Sequence, residues 1–124
     1  MAMMTVYEVQ YKRLPAFHAA IYIHRDEKGG FMYHTVGSHT AGFRYEACKS
    51  ERPEKSRSLY KMWPRGKVAP EDLPRVDLVC QNVPVPRIRS ISGVRIERDC
   101  RHWVHQALGD LRTAGVLQEM SRTK

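Results

Sequence analysis

Apolar and polar positions alternate over residues 5–11 (TVYEVQY), with Val6, Glu8 and Gln10 set against Tyr7, Val9 and Tyr11. A period of two predicts a strand with one buried face. Residues 12–15 end in proline and read as a turn. Residues 18–24 (HAAIYIH) predict a second strand, because β-branched and aromatic side chains suit a pleated surface. The polar run RDEKGG, residues 25–30, closes on two glycines and reads as a hairpin connection. Residues 31–36 (FMYHTV) are then the returning strand, 37–42 a loop, and 43–49 a further strand.

Periodicity is weaker in the middle of the chain. Residues 50–58 are polar and charged, which predicts a solvated loop, and Trp63-Pro64 and Arg65-Gly66 read as turns. Residues 76–83 form an apolar run closed by Pro84 and Pro86, consistent with a buried strand. The pattern then changes. Cys100, Trp103, Val104, Ala107, Leu108 and Leu111 recur three and four apart, which predicts an amphipathic helix over residues 100–114. Asp99 is placed to cap its N-terminus, and Gly115 to end it with Val116 packing behind. Strands first and one helix last give an α+β class: an antiparallel sheet packed against a C-terminal helix that bears a cysteine.

Length and composition narrow the picture. The 124 residues predict one domain, spanning 1–124, with 42% hydrophobic and 27% charged residues, as in an ordinary globular chain. The longest apolar stretch, near residues 16–23, is too short for a transmembrane helix, and residues 1–11 carry no secretory signal pattern, so the expected location is cytoplasmic. Three widely spaced cysteines, with no CxxC pair, argue against a disulfide framework and against a zinc motif; no metal or cofactor is expected. The net charge of +8 is scattered rather than clustered, which argues against nucleic acid and suits an anionic or carrier-bound acyl substrate.

Chemistry concentrates on Cys100. The positive end of a helix dipole favours a thiolate, and free backbone amides there are placed to bind an oxyanion. A free cysteine is most often a small buried hydrophobe; that is the reading of Cys100 taken alone, and of Cys48 and Cys80 outright. A nucleophile needs a base and a residue to orient that base. Among six histidines, His18 opens an otherwise apolar strand and His34 lies within the returning one. Both have even numbers, so a hairpin register with an even index sum puts their rings on one face, and an odd sum puts them on opposite faces. His39, in the following loop, is an alternative third member. Tyr22, Trp103 and His39 are candidates to line a substrate site, whereas His24, His102 and His105 read as surface residues.

These segments resemble a known family. HAAIYI at residues 18–23, a histidine on the next strand, and DCRHWV at residues 99–104 are similar to the motifs of lecithin retinol acyltransferase-like proteins, which belong to the NlpC/P60 group. There the pattern is an H-W-A-I-Y-V-type strand, a second histidine on its neighbour, and a cysteine in an N-C-E-H-F-V-type helix start. The resemblance implies a circularly permuted papain-like fold, with Cys100 as nucleophile, His18 as base and His34 as orienting residue. It covers three short segments and leaves residues 42–98 unaccounted for. Ala19 stands where the family has tryptophan, Asp99 where it has asparagine, and no apolar anchor follows the helix. The implied activity is acyl transfer on an ester, thioester or amide by a hydrolase or acyltransferase. The alternatives are acid–base chemistry by His18 and His34 without a covalent intermediate, and a non-catalytic basic binding module.

Overall fold

The computed structural model describes residues 3–13, 16–38, 41–86, 88–91, 94–97 and 100–119. Five strands form one antiparallel sheet: β1 (Met4–Arg13), β2 (Ala16–Asp26), β3 (Gly29–Ser38), β4 (Gly42–Ser50) and β5 (Leu59–Val68), in the order β4-β3-β2-β1-β5. A helix, α1 (Leu73–Gln81), follows, then a separate two-stranded ribbon of β6 (Ile88–Ile91) and β7 (Val94–Glu97), then the C-terminal helix α2 (Cys100–Thr113). The class is therefore α+β, as the pattern predicts. No helix among the described residues is long and apolar enough to cross a membrane.

Strand alternation sorts the interior into two layers. Met4, Val6, Ala19, Ile21, Ile23 and Tyr33 face both helices, where Val76, Cys80, Trp103, Val104, Leu108 and Leu111 meet them. Each fully buried side chain of leucine size on α2 contributes about 2 kcal/mol of hydrophobic stabilisation. Val9, Tyr11, Ala20, Tyr22 and Met32 make a smaller cluster on the opposite face. The connection from β4 to β5 has to pass over the sheet, because those strands occupy opposite edges. It runs past Tyr11 and Met32 and buries Pro53 in a short 3₁₀ turn, Pro53–Lys55. The polar stretch expected to be a solvated loop is thus partly the cover of the second face.

Two expectations for the middle of the chain are corrected. Residues 76–83 do not form a strand; α1 takes most of them. Val76 and Cys80 are buried one turn apart while Leu78 between them is 61% exposed, which is helical spacing hidden inside a short apolar run. Pro74 is tolerated because it lies in the first turn, where its missing amide has no partner to lose. Nor do Trp63-Pro64 and Arg65-Gly66 turn the chain. They continue β5 through a bulge, with Val6 paired to Gly66 and Tyr7 to Pro64. An edge strand accepts proline and irregular pairing. Gly66 lies at φ 156° where the C-terminal segment pairs with Lys67, and a Cβ there would meet Gln118 O at 2.5 Å.

The end of α2 follows the sequence reading. Gly115 takes φ 75°, its amide bonds Arg112 O at 3.0 Å, and the Val116 amide returns to Leu111 O at 3.0 Å with Val116 buried. Asp99, the expected N-cap, lies outside the described residues.

Candidate functional site

The β2–β3 ladder pairs Ile21 with Tyr33 and Tyr22 with Met32, an even index sum. His18 and His34 therefore share a face. The ladder reaches no further than Ile21 and Tyr33, although β2 stays paired with β1 to Ala16 and β3 with β4 to Ser38. The sheet consequently splits between β2 and β3, and the two histidines stand on either side of the opening. His18 Nε2 and His34 Nδ1 are 2.8 Å apart, with the rings edge to face. Tyr11, cross-strand from His18, holds its ring 6.2 Å from the imidazole and stacked on it.

The first residue of α2 meets β2 from the helix face of the sheet. Cys100 is 7% exposed, and its Sγ accepts a hydrogen bond from the Ala19 amide at 3.2 Å, next to His18 in the chain. An amide donor stabilises a thiolate more than a thiol, and so does the helix N-terminus.

A fourth residue, which sequence reasoning missed, completes the row. The β3–β4 ladder sets Glu46 directly opposite His34, and His34 Nε2 lies 3.1 Å from Glu46 Oε1. This contact orders the protons. A carboxylate only accepts, so His34 carries its proton on Nε2 and leaves Nδ1 as an acceptor. His18 must then donate from Nε2, which makes its Nδ1 a lone-pair nitrogen, the form that accepts a proton. The signal was legible in principle: a hairpin that pairs Ser38 with Gly42 places position 46 across from 34.

Cys48 lies two residues beyond Glu46 on β4. It is exposed, and its thiol pKa is pushed up by partial burial, by the Glu46 charge and by a hydrogen bond to that carboxylate. Together His34, Glu46 and Cys48 bring a nitrogen, an oxygen and a sulfur within 4.8 Å of one another. Cys80, by contrast, is a core thiol, pushed up to about 12 by burial first and by Asp77 and Asp110 next.

The residues expected to line a substrate site are placed differently. Tyr22 is fully buried, its hydroxyl paired with His24 Nδ1 at 3.0 Å and its pKa raised to about 12 chiefly by that burial. Trp103 is 2% exposed, its ring 5.8 Å from that of Tyr45. Neither has surface through which to touch a substrate in this structure. His39 lies outside the described residues. His24 is half-buried rather than a surface residue, since it holds Tyr22. His105, although 63% exposed, bonds a buried carboxylate, Glu8, at 3.1 Å. Thr35 Oγ1 and Trp103 Nε1 are buried with no hydrogen-bond partner among the described residues. A groove of about 380 Å³ between α1 and the β3–β4 edge is lined by Phe31, Leu73, Pro74, Asp77 and Cys48, among others, and not by Cys100, His18 or His34.

The chain is thus an α+β protein that carries a row of carboxylate, histidine and histidine on its sheet and a helix-borne cysteine bonded to the Ala19 amide. Residues 6–118 match the family of unknown function DUF6540, and the chain belongs to that family. No curated protein and no solved structure matches it.

Proposed function

We propose that the protein is a cysteine-dependent acyl-transfer enzyme, with Cys100 as nucleophile, His18 as base and His34 as the residue that positions His18. The observation that carries this is the 2.8 Å contact from His18 Nε2 to His34 Nδ1, with Cys100 Sγ held on the adjacent Ala19 amide. Cys100 attacks an ester, thioester or amide carbonyl and gives its proton to His18 Nδ1. The imidazolium returns that proton to the leaving group, and the acyl-enzyme passes to water, an amine or a hydroxyl. Backbone amides at the start of α2 hold the oxyanion. A sheet packed against a C-terminal helix that begins with a cysteine, with the chain order His, His, Cys, supports reading the fold as permuted papain-like. The net charge of +8 suits an anionic or carrier-bound acyl group, and three cysteines with no disulfide suit the cytoplasm.

The test is to trap the acyl-enzyme. Incubation with p-nitrophenyl acetate, followed by peptide mass spectrometry, is expected to find acetyl on Cys100 and to find it lost in Cys100→Ser and His18→Ala. Acetyl confined to lysines or to Cys48 contradicts the proposal, and a fully active Cys100→Ser protein would favour acid–base chemistry by the histidines alone.

One observation favours the binding-module reading. On edge strand β5, Lys61 Nζ lies 5.3 Å from the centre of the Tyr60 ring and 5.7 Å from that of Trp63, with Lys12 and Arg65 stacked on the same rings. Aromatic rings among cations suit single-stranded nucleic acid. Submicromolar binding of an oligonucleotide that weakens steeply with salt would support this second reading.

A further inference from the structure

The row of protons described above hangs on one contact, His34 Nε2 to Glu46, and a cation inserted there would reverse it. We propose that His34, Glu46 and Cys48 form a zinc site, and that zinc bound there switches Cys100 off. This rests on the acyl-transfer reading for its effect, though not for the binding itself.

The donors are built on a stiff frame. His34 and Glu46 are direct cross-strand partners, and Cys48 is two residues along β4, so all three project from one face of the β3–β4 ladder. Their ligand atoms lie within 4.8 Å of one another. Zinc takes imidazole nitrogen and carboxylate oxygen at about 2.0–2.1 Å and thiolate sulfur at about 2.3 Å in a tetrahedron. Those bond lengths require a nitrogen–oxygen separation of about 3.3 Å and sulfur separations of about 3.5 Å. The first is nearly met, since His34 Nε2 and Glu46 Oε1 are 3.1 Å apart. The sulfur has to close by little more than about 1 Å, a rotamer adjustment for an exposed side chain. The mixed N, O, S set selects zinc over magnesium or calcium, and three protein donors leave the fourth position for water. Arg44, 3.8 Å from Glu46 Oε2, is the one cation paired with this carboxylate among the described residues, and its side chain is 75% exposed and able to swing out.

The consequence follows from counting protons. With zinc on Nε2, the neutral His34 ring carries its proton on Nδ1 and donates it to His18 Nε2. His18 then carries its own proton on Nδ1. Each ring holds one proton before and after; the Cys48 thiol proton is released to buffer as the zinc–sulfur bond forms. The nitrogen of His18 that served as base has become a donor, and Cys100 loses its proton acceptor.

Titration of the reduced protein with zinc chloride in a calorimeter is expected to give one-to-one binding, weakened at least tenfold in Cys48→Ala and unchanged in Cys100→Ala. Zinc is further expected to slow iodoacetamide alkylation of Cys100 at least tenfold in the unsubstituted protein and to leave it unaltered in Cys48→Ala. ¹⁵N shifts of the histidine rings should show the proton of His34 move from Nε2 to Nδ1. No zinc binding, or equal binding by Cys48→Ala, overturns the site. Cys48-dependent binding with unaltered ring shifts overturns the switch. Slow Cys100 alkylation without zinc, together with Cys48-dependent binding and the shift of the His34 proton, counts against the acyl-transfer reading and supports the metal site.

Discussion

Two polar clusters sit on opposite faces of the sheet, and each joins a glutamate to a histidine. On the helix face, Glu8 is 1% exposed; its Oε1 receives Arg65 Nε at 3.0 Å and Nη2 at 2.9 Å, and its Oε2 faces His105 Nε2 at 3.1 Å. Both carboxylate oxygens are satisfied, one by the Arg65 guanidinium and one by His105 at the exposed surface of α2, so this cluster clamps β1, β5 and α2 together. On the other face, Glu46 bonds one nitrogen of His34, whose second nitrogen bonds His18. Here the same residue types make a directed chain that ends at the ring of His18, one residue before the Ala19 amide that holds Cys100 Sγ from the other side of β2. The difference lies in topology rather than composition: Glu8 divides its two oxygens between an arginine and an exposed histidine, whereas the histidine on Glu46 passes its second nitrogen to another imidazole, able both to give and to take a proton.

Substitutions separate the two. Glu8→Gln removes a buried charge that holds Arg65 and His105, and it is expected to lower stability by about 3 kcal/mol, read by urea unfolding, while Cys100 alkylation stays unchanged. Glu46→Gln should do the reverse. Its amide no longer dictates which nitrogen of His34 carries the proton, so Cys100 alkylation at pH 6 is expected to fall about 10–100-fold with little change in the unfolding midpoint. Equal loss of stability in both variants would erase the distinction. A smaller effect belongs to the packing around both clusters. Burial raises the Tyr22 and Tyr33 phenols to about 12, and Cys80 likewise, above their unfolded values of 10.0 and 9.0. Native protons are held more tightly, so stability is intact below about pH 9 and is lost as pH climbs toward 12. Melting temperatures followed across that window check it; Tyr33→Phe should flatten the decline.

How much of this was legible follows from range. The strands holding Val6, Ile21 and Tyr33 and the helix of Trp103 and Leu111 were written in local periodicity, and so was the cap at Gly115. The helix over Val76 and Cys80 was not, because five apolar residues in an eight-residue run fit either period and the exposure of Leu78 depends on what packs nearby. Cys100, His18 and His34 could be nominated from residue type and order. The meeting of the two histidines depended on the hairpin register, which the turn at residues 25–30 left open by one residue. Glu46 escaped notice because its importance comes wholly from pairing with His34, and the Glu8 clamp because His105 lies off the apolar stripe of its helix.

Competition among the three thiols for iodoacetamide at pH 6 bears most directly on the central claim. Cys48 is exposed and Cys100 is 7% exposed, so access alone favours Cys48. A thiolate held by His18 and the start of α2 reverses that order. Cys100 is expected to be alkylated at least tenfold faster than Cys48 or Cys80, and His18→Ala should abolish the advantage. Cys100 reacting no faster than Cys48 would contradict the account.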